Sequence, residues 1–130
     1  MVKETKKPVF KKLKRKFSRG IMYIHSSFNN TIITLTNLKG DVLTWSSPGC
    51  SGFKGARKNT PFSVKMVADN ILKKCFEIGL LEVKIFVKGP GPGREIAVRH
   101  LQKSSLQINT IQDITPIPHN GCRPPKKRRI

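Results

Sequence analysis

The sequence predicts an α/β fold: a single domain of element order βββαβαβ, with a mixed five-stranded sheet flanked by helices. Three observations carry this reading. β-Branched and aromatic runs separated by turn formers fill residues 20–47, and an apolar stripe at helical spacing follows from Val64 to Ile78. An alternating strand, a glycine-proline loop, a second helical stripe and a last β-rich run then complete the chain's middle. Of its 130 residues, those from 20 to 114 form a globular domain with room for one core. A basic arm (1–19) precedes this domain, and a proline-rich basic tail (115–130) follows it.

The first three strands are expected at Ile21 to Phe28, Thr31 to Thr36 and Val42 to Ser46, in hairpin succession. Asn29-Asn30 tolerates positive φ at the first turn, and Leu38-Lys39-Gly40-Asp41 supplies the second. Ile33 and Leu35 alternate with Thr34 and Thr36, so one sheet face is more polar than the other. Residues 46–60 show no periodicity and read as a long structureless loop. Thr60-Pro61 then starts a helix, with threonine as N-cap and proline where its missing N–H costs nothing. Val64, Val67, Ala68, Ile71, Cys75 and Ile78 form its buried stripe, and Gly79 ends it. Glu82 to Lys88 alternates as a strand, Arg94 to Lys103 as a second helix carries Ile96, Ala97, His100 and Leu101 at core spacing, and Leu106 to Ile114 makes the last strand. Strand, helix, strand in this order implies a right-handed parallel crossover.

Charge dominates the ends. The chain carries +19, with nine bases against one acid from Met1 to Arg19 and five bases without an acid from Thr115 to Ile130. Between them, twelve bases face six acids. Pro124 and Pro125 deny the tail helix hydrogen bonds and hold it extended beside Arg123, Lys126, Lys127, Arg128 and Arg129. Cations crowded in this way repel one another unless phosphates compensate them, which points to nucleic acid as partner. A membrane partner would require an amphipathic basic helix, and the ends, broken by Pro8 and Pro124, lack that pattern. No apolar run approaches the roughly 18 residues of a membrane span. Three cysteines at unrelated spacings suit a reducing compartment, and all three are expected as thiols.

Two loops fit a phosphate chain. Gly49, Gly52 and Gly55 permit close backbone approach beside Lys54, Arg57 and Lys58. Gly89-Pro90-Gly91-Pro92-Gly93 stands between a strand and a helix start, where it serves equally as a rigid turn or as an anion site with Arg94. It is neither a dinucleotide fingerprint nor a Walker loop. Catalysis finds little support. Asp69 and Glu77 lie off the first helix's apolar stripe, Glu82, Glu95 and Asp113 are scattered at element ends, and the first strand holds no acid, so a two-metal nuclease is disfavoured. His119 and Cys122 are spaced like half of a zinc site without a second pair nearby. Neither a metal nor a cofactor is expected.

Four segments carry a family resemblance: FNNTIITLT (Phe28 to Thr36), SGFKGARKNTPF (Ser51 to Phe62), KGPGPGRE (Lys88 to Glu95) and DITPIPHNGCRPPKKRR (Asp113 to Arg129). In this order they closely resemble the small-subunit ribosomal protein family called S-eleven, in its bacterial and plastid form. The match runs from about Gly20 to the end, while Pro48-Gly49-Cys50 replaces a more usual small-residue stretch and the amino-terminal arm aligns with no motif. The resemblance implies a ribonuclease H-like motif without catalytic acids, in a non-enzymatic constituent of the small subunit's platform. Its implied partners are small-subunit rRNA of the central domain, the seventh and eighteenth small-subunit proteins, and messenger RNA nearby at the exit and Shine-Dalgarno cleft; no homo-oligomer is implied. A plastid ribosome is the expected setting, with bacterial cytoplasm or a mitochondrial ribosome as alternatives. The residues expected to contact rRNA are Lys11, Lys12, Lys14, Arg15, Lys16 and Arg19 of the arm, Lys54, Arg57 and Lys58 of the first loop, Arg94, and His119, Asn120, Arg123, Lys126, Lys127, Arg128 and Arg129 of the tail.

Overall fold

The computed structural model describes residues 18–129. Its elements are β1 (Arg19–Ser26), β2 (Thr31–Thr36), β3 (Val42–Ser46), α1 (Pro61–Ile78), β4 (Glu82–Lys88), α2 (Gly93–Gln102) and β5 (Gln107–Asp113). They form the expected α/β domain, with one five-stranded sheet in the order β3-β2-β1-β4-β5. The first three strands pair antiparallel, whereas β4 joins β1 and β5 joins β4 in parallel. The sheet is therefore mixed.

Two crossovers build its parallel half. From β3 the chain passes through α1 to β4, and from β4 through α2 to β5, stepping in the same direction across the sheet each time. Two right-handed crossovers in one direction place both helices on one face. Alternate strand residues meet them there: Met22, Ile24, Ile33, Leu35, Val83, Ile85 and Val87 are buried against Val64, Val67, Ala68, Ile71 and Cys75 of α1 and Ala97 and Leu101 of α2. Each fully buried aliphatic side chain contributes about 1.5–3 kcal/mol, so this layer is the principal source of stability. Cys75 belongs to it. Burial pushes its thiol up to about 12, so it is a core group and not a nucleophile.

Local chemistry sets the element ends. The Ser63 amide donates to Thr60 Oγ1 at 3.3 Å and caps α1, while Gly79, at φ 86°, turns its N–H back to the Cys75 and Phe76 carbonyls. In the second hairpin, Asn37 Oδ1 accepts from the Lys39 and Asp41 amides, each at 2.9 Å. The first hairpin departs from expectation. Neither Asn29 nor Asn30 takes positive φ; instead the Ser27 amide donates to the Asn30 carbonyl at 2.8 Å and the Asn30 amide to Ser27 Oγ at 3.1 Å. This closure stops β1 at Ser26, short of the expected Phe28. At its other end β1 starts early because Arg19 pairs in register with Glu82 and bonds its carboxylate at 3.2 Å.

The stretch expected as a structureless loop is also ordered. Two single-turn 3-10 segments, Pro48–Ser51 and Gly55–Asn59, occupy it. Gly52 (φ 93°) and Gly55 (φ 59°) supply the backbone reversals that no apolar periodicity announces. Asn70 Nδ2 of α1 donates to Ser51 Oγ at 3.0 Å, and the Phe53 and Phe62 rings meet edge to face at 5.9 Å.

Ile71 lies fully buried at the centre of the helix–sheet interface. An Ile71→Ala variant is expected to lose about 2–5 kcal/mol, read in urea as a lower midpoint with unchanged m-value. A loss below that range would show that α1 is not the core's keystone.

Candidate nucleic-acid interface

The carboxyl end of the sheet carries a compact clamp. Arg94, in the first turn of α2, donates through Nη1 to the Gly89 carbonyl at 2.9 Å and through Nη2 to Asp113 Oδ2 at 2.7 Å. Asp113 Oδ1 accepts from the Thr115 hydroxyl at 2.6 Å and from the Thr115 amide at 2.9 Å. Thr115 Oγ1 accepts in turn from the Gly89 amide at 3.1 Å. The end of β4, the start of α2 and the root of the tail are thereby joined. The Thr115 hydroxyl, then the Arg94 guanidinium and the Thr115 amide, hold the Asp113 carboxyl well below the usual carboxylate range.

The glycines of this loop are explained by contact with the chain itself. A Cβ at Gly89 or Gly91 would collide with the carbonyl oxygens of Ser26 or Ser27, and one at Gly93 with Thr31 Oγ1. Gly89 also sits at φ 103°, where a side chain is strained. The Gly91 amide donates to the Ser26 carbonyl at 3.0 Å. Of the two sequence readings of this loop, the rigid turn accounts for these glycines and amides.

Beyond the clamp the described residues form no helix or strand. From Pro116 to Arg129 every residue is exposed, including His119, Asn120, Arg123, Lys126, Lys127, Arg128 and Arg129. Asn120 is the one non-glycine residue at positive φ (61°) among the described residues. Prolines at 116, 118, 124 and 125 keep this segment extended and leave its backbone acceptors free. Lys54 and Arg57 are exposed and Lys58 is half-buried just before α1. Thr60 Oγ1 donates to the Arg57 carbonyl at 3.0 Å and Ser63 Oγ to the Lys58 carbonyl at 3.0 Å, so this cation-bearing turn is anchored to the helix. Arg19 lies exposed at the start of β1, paired with Glu82. Lys11, Lys12, Lys14, Arg15 and Lys16 lie outside the described residues.

Sequence alone does not disclose the clamp, because Asp113 reads as one scattered acid and Thr115 carries no signal of its own. Nor does it reveal the link between the helices, in which His100 Nε2 meets Asp69 Oδ1 at 2.5 Å. One signal is present, since the parallel crossover through α2 must return the end of β5 to the end of β4, where the loop and Arg94 stand.

The family model for "Ribosomal protein S11" matches residues 20–129. The chain belongs to this family. It is 61% identical over 130 residues, the full length of both chains, to "Small ribosomal subunit protein uS11c" of Pleurastrum terricola. Over the same full length it is 55% identical to the protein of that name from Tupiella akineta. It is also 51% identical to "Small ribosomal subunit protein uS11" of Rippkaea orientalis (strain PCC 8801 / RF-1), again over the whole of both chains. All four motifs that carry the sequence resemblance lie inside the matched span.

Asp113→Asn removes the charge at the centre of the clamp without changing its size. Hydrogen exchange at the Gly89 and Thr115 amides is expected to rise while the core amides stay protected. In the native chain the clamp holds at full strength above the ordinary carboxylate range near pH ~4 and is lost only as pH falls below it, since the unfolded carboxyl takes up its proton first. Unchanged exchange at both amides in the variant would dismiss the clamp.

Proposed function

We propose that this chain is a structural constituent of the small ribosomal subunit in a plastid, holding rRNA through cationic segments borne on a rigid α/β body. The observation that carries the reading is the exposed, acid-free tail rooted by the Asp113 clamp, in a chain matched end to end by small-subunit proteins of the same family. Lys54, Arg57 and Lys58 offer a second cationic site, and the arm from Lys11 to Arg19 a third. Phosphate contacts of this kind position a protein without reading sequence, and an extended cationic segment folds along RNA as released counterions repay its ordering. Arg94 spends both terminal nitrogens inside the chain, so its part is to aim the tail.

The role is architectural and no bond is made or broken. Support comes from the acids, which are dispersed, three of them engaged with local partners: Asp69 with His100, Asp113 with Arg94, and Glu82 with Arg19. Hydrolysis by paired metals would need carboxylates converging on one point. The central-domain rRNA of the platform, messenger RNA nearby and the seventh and eighteenth small-subunit proteins are the neighbours proposed on family resemblance.

Deleting Arg123 to Ile130 is expected to weaken binding to small-subunit rRNA and to flatten the dependence of log affinity on log salt by roughly one unit for each phosphate the tail no longer neutralises. An unchanged slope would remove the tail from the interface. The intact chain is expected to stay with the small subunit through a high-salt wash and sedimentation.

A further inference from the structure

Both helices cover one face of the sheet, and the opposite face has no element packed on it among the described residues. Strand register decides what this face presents, because directly paired residues point the same way. Trp45 pairs with Thr34, Thr34 with Tyr23, Tyr23 with Phe86, and Phe86 with Gln112. A single row therefore crosses all five strands and contains three aromatic rings. Tyr23 and Phe86 lie half-buried with centroids 5.5 Å apart, and Trp45 is 51% exposed. On one side of that row runs Ile32, His25 and Lys88; on the other, Ile21, Lys84 and Thr110.

The charges on this face select its partner. Lys84 and Lys88 are exposed and flank Phe86 on its own strand, each about 6–7 Å along it. Glu82 is already bonded to Arg19 at 3.2 Å and accepts from Asn109 Nδ2 at 3.3 Å. Neither lysine takes part in an ion pair among the described residues. A protein docking here would bury uncompensated lysines, which interface cores avoid. Stacked bases flanked by phosphates satisfy rings and cations together. A duplex cannot satisfy them, since its bases are already stacked on one another.

We propose that the open sheet face is a platform for an unpaired RNA segment, with bases stacked on Tyr23, Phe86 and Trp45 and phosphates held by Lys84 and Lys88. The inference rests on the rRNA-binding reading above and specifies the state in which part of that RNA is held. It adds a base-stacking site to a chain whose other cationic segments grip phosphate alone.

Trp45 is the only tryptophan, so its emission reports on this face directly. The full chain is titrated with a short oligoadenylate and with an RNA duplex of equal length. The single strand is expected to quench Trp45, and Tyr23→Leu/Phe86→Leu, which keeps apolar bulk, is expected to weaken its binding roughly ten-fold with an unchanged salt slope. Trp45→Leu, altered at an exposed site, should weaken it in the same direction and serves if the double variant does not fold. Duplex and single strand binding alike without quenching, and unaffected by these substitutions, would overturn the platform while leaving the tail reading intact. Failure of both RNAs to bind would overturn the platform and the tail reading together. Self-association of the RNA-free chain that Trp45→Leu abolishes would assign the face to a second copy and overturn the proposal.

Discussion

The parallel pairing of β1 with β4 is the constraint on which the rest of the molecule depends. It joins two strands that are distant in sequence, so the chain between them must cross over, and α1 is that crossover. Because the next crossover steps the same way, α2 lies beside α1, and the apolar sides of β1, β2 and β4 have a single layer to bury against. The pairing also brings the end of β4 against the end of β1. There the Gly89–Gly93 loop meets Ser26, Ser27 and Thr31 so closely that side chains are excluded. The fold's tightest backbone contacts and the root of its cationic tail thus occupy one end of the sheet.

Stability and binding are kept apart in this chain. The neutral core is built by alternate strand residues and two helical stripes, while most of the excess positive charge lies outside the elements that form it. Three acids of the domain serve as local ties: Glu82 holds the start of β1, Asp69 links the helices, and Asp113 secures the tail. Exposed ion pairs of this kind add little to folding free energy. Their value is in geometry: they fix the start of β1, the spacing of the helices and, through Asp113, the line along which the tail leaves the body.

Most of the architecture is legible in the sequence because local signals and tertiary context agree. β2, β3 and β4 fall at their expected boundaries because alternation, turn residues and core burial all change at the same positions. The N-cap at Thr60 and the terminating Gly79 are readable because capping is a property of a few adjacent residues. Legibility fails where a better partner is at hand or partners are remote in sequence. Asn29-Asn30 offers a familiar backbone solution, but Ser27 supplies hydrogen bonds that make it unnecessary. The bonds of Arg94 with Asp113, and of His100 with Asp69, span 19 and 31 residues. No periodicity encodes them. The tail is legible as a cationic segment from composition alone, whereas the geometry of its attachment is not.

Among the described residues the sheet also ends in two unpaired edges, β3 and β5. The sequence of β5, QINTIQD, has no lysine or proline to blunt it, and Ile111 stands 44% exposed beside its open hydrogen-bonding groups. Edges of this kind template strand-to-strand aggregation. Before assembly, mutual repulsion between copies carrying +19 opposes such pairing, and at roughly 0.15 M ionic strength that repulsion reaches only about 8 Å. The charge that suits this chain to a polyanion therefore also acts as its own chaperone, and once phosphates neutralise it, confinement within the particle must take over that duty.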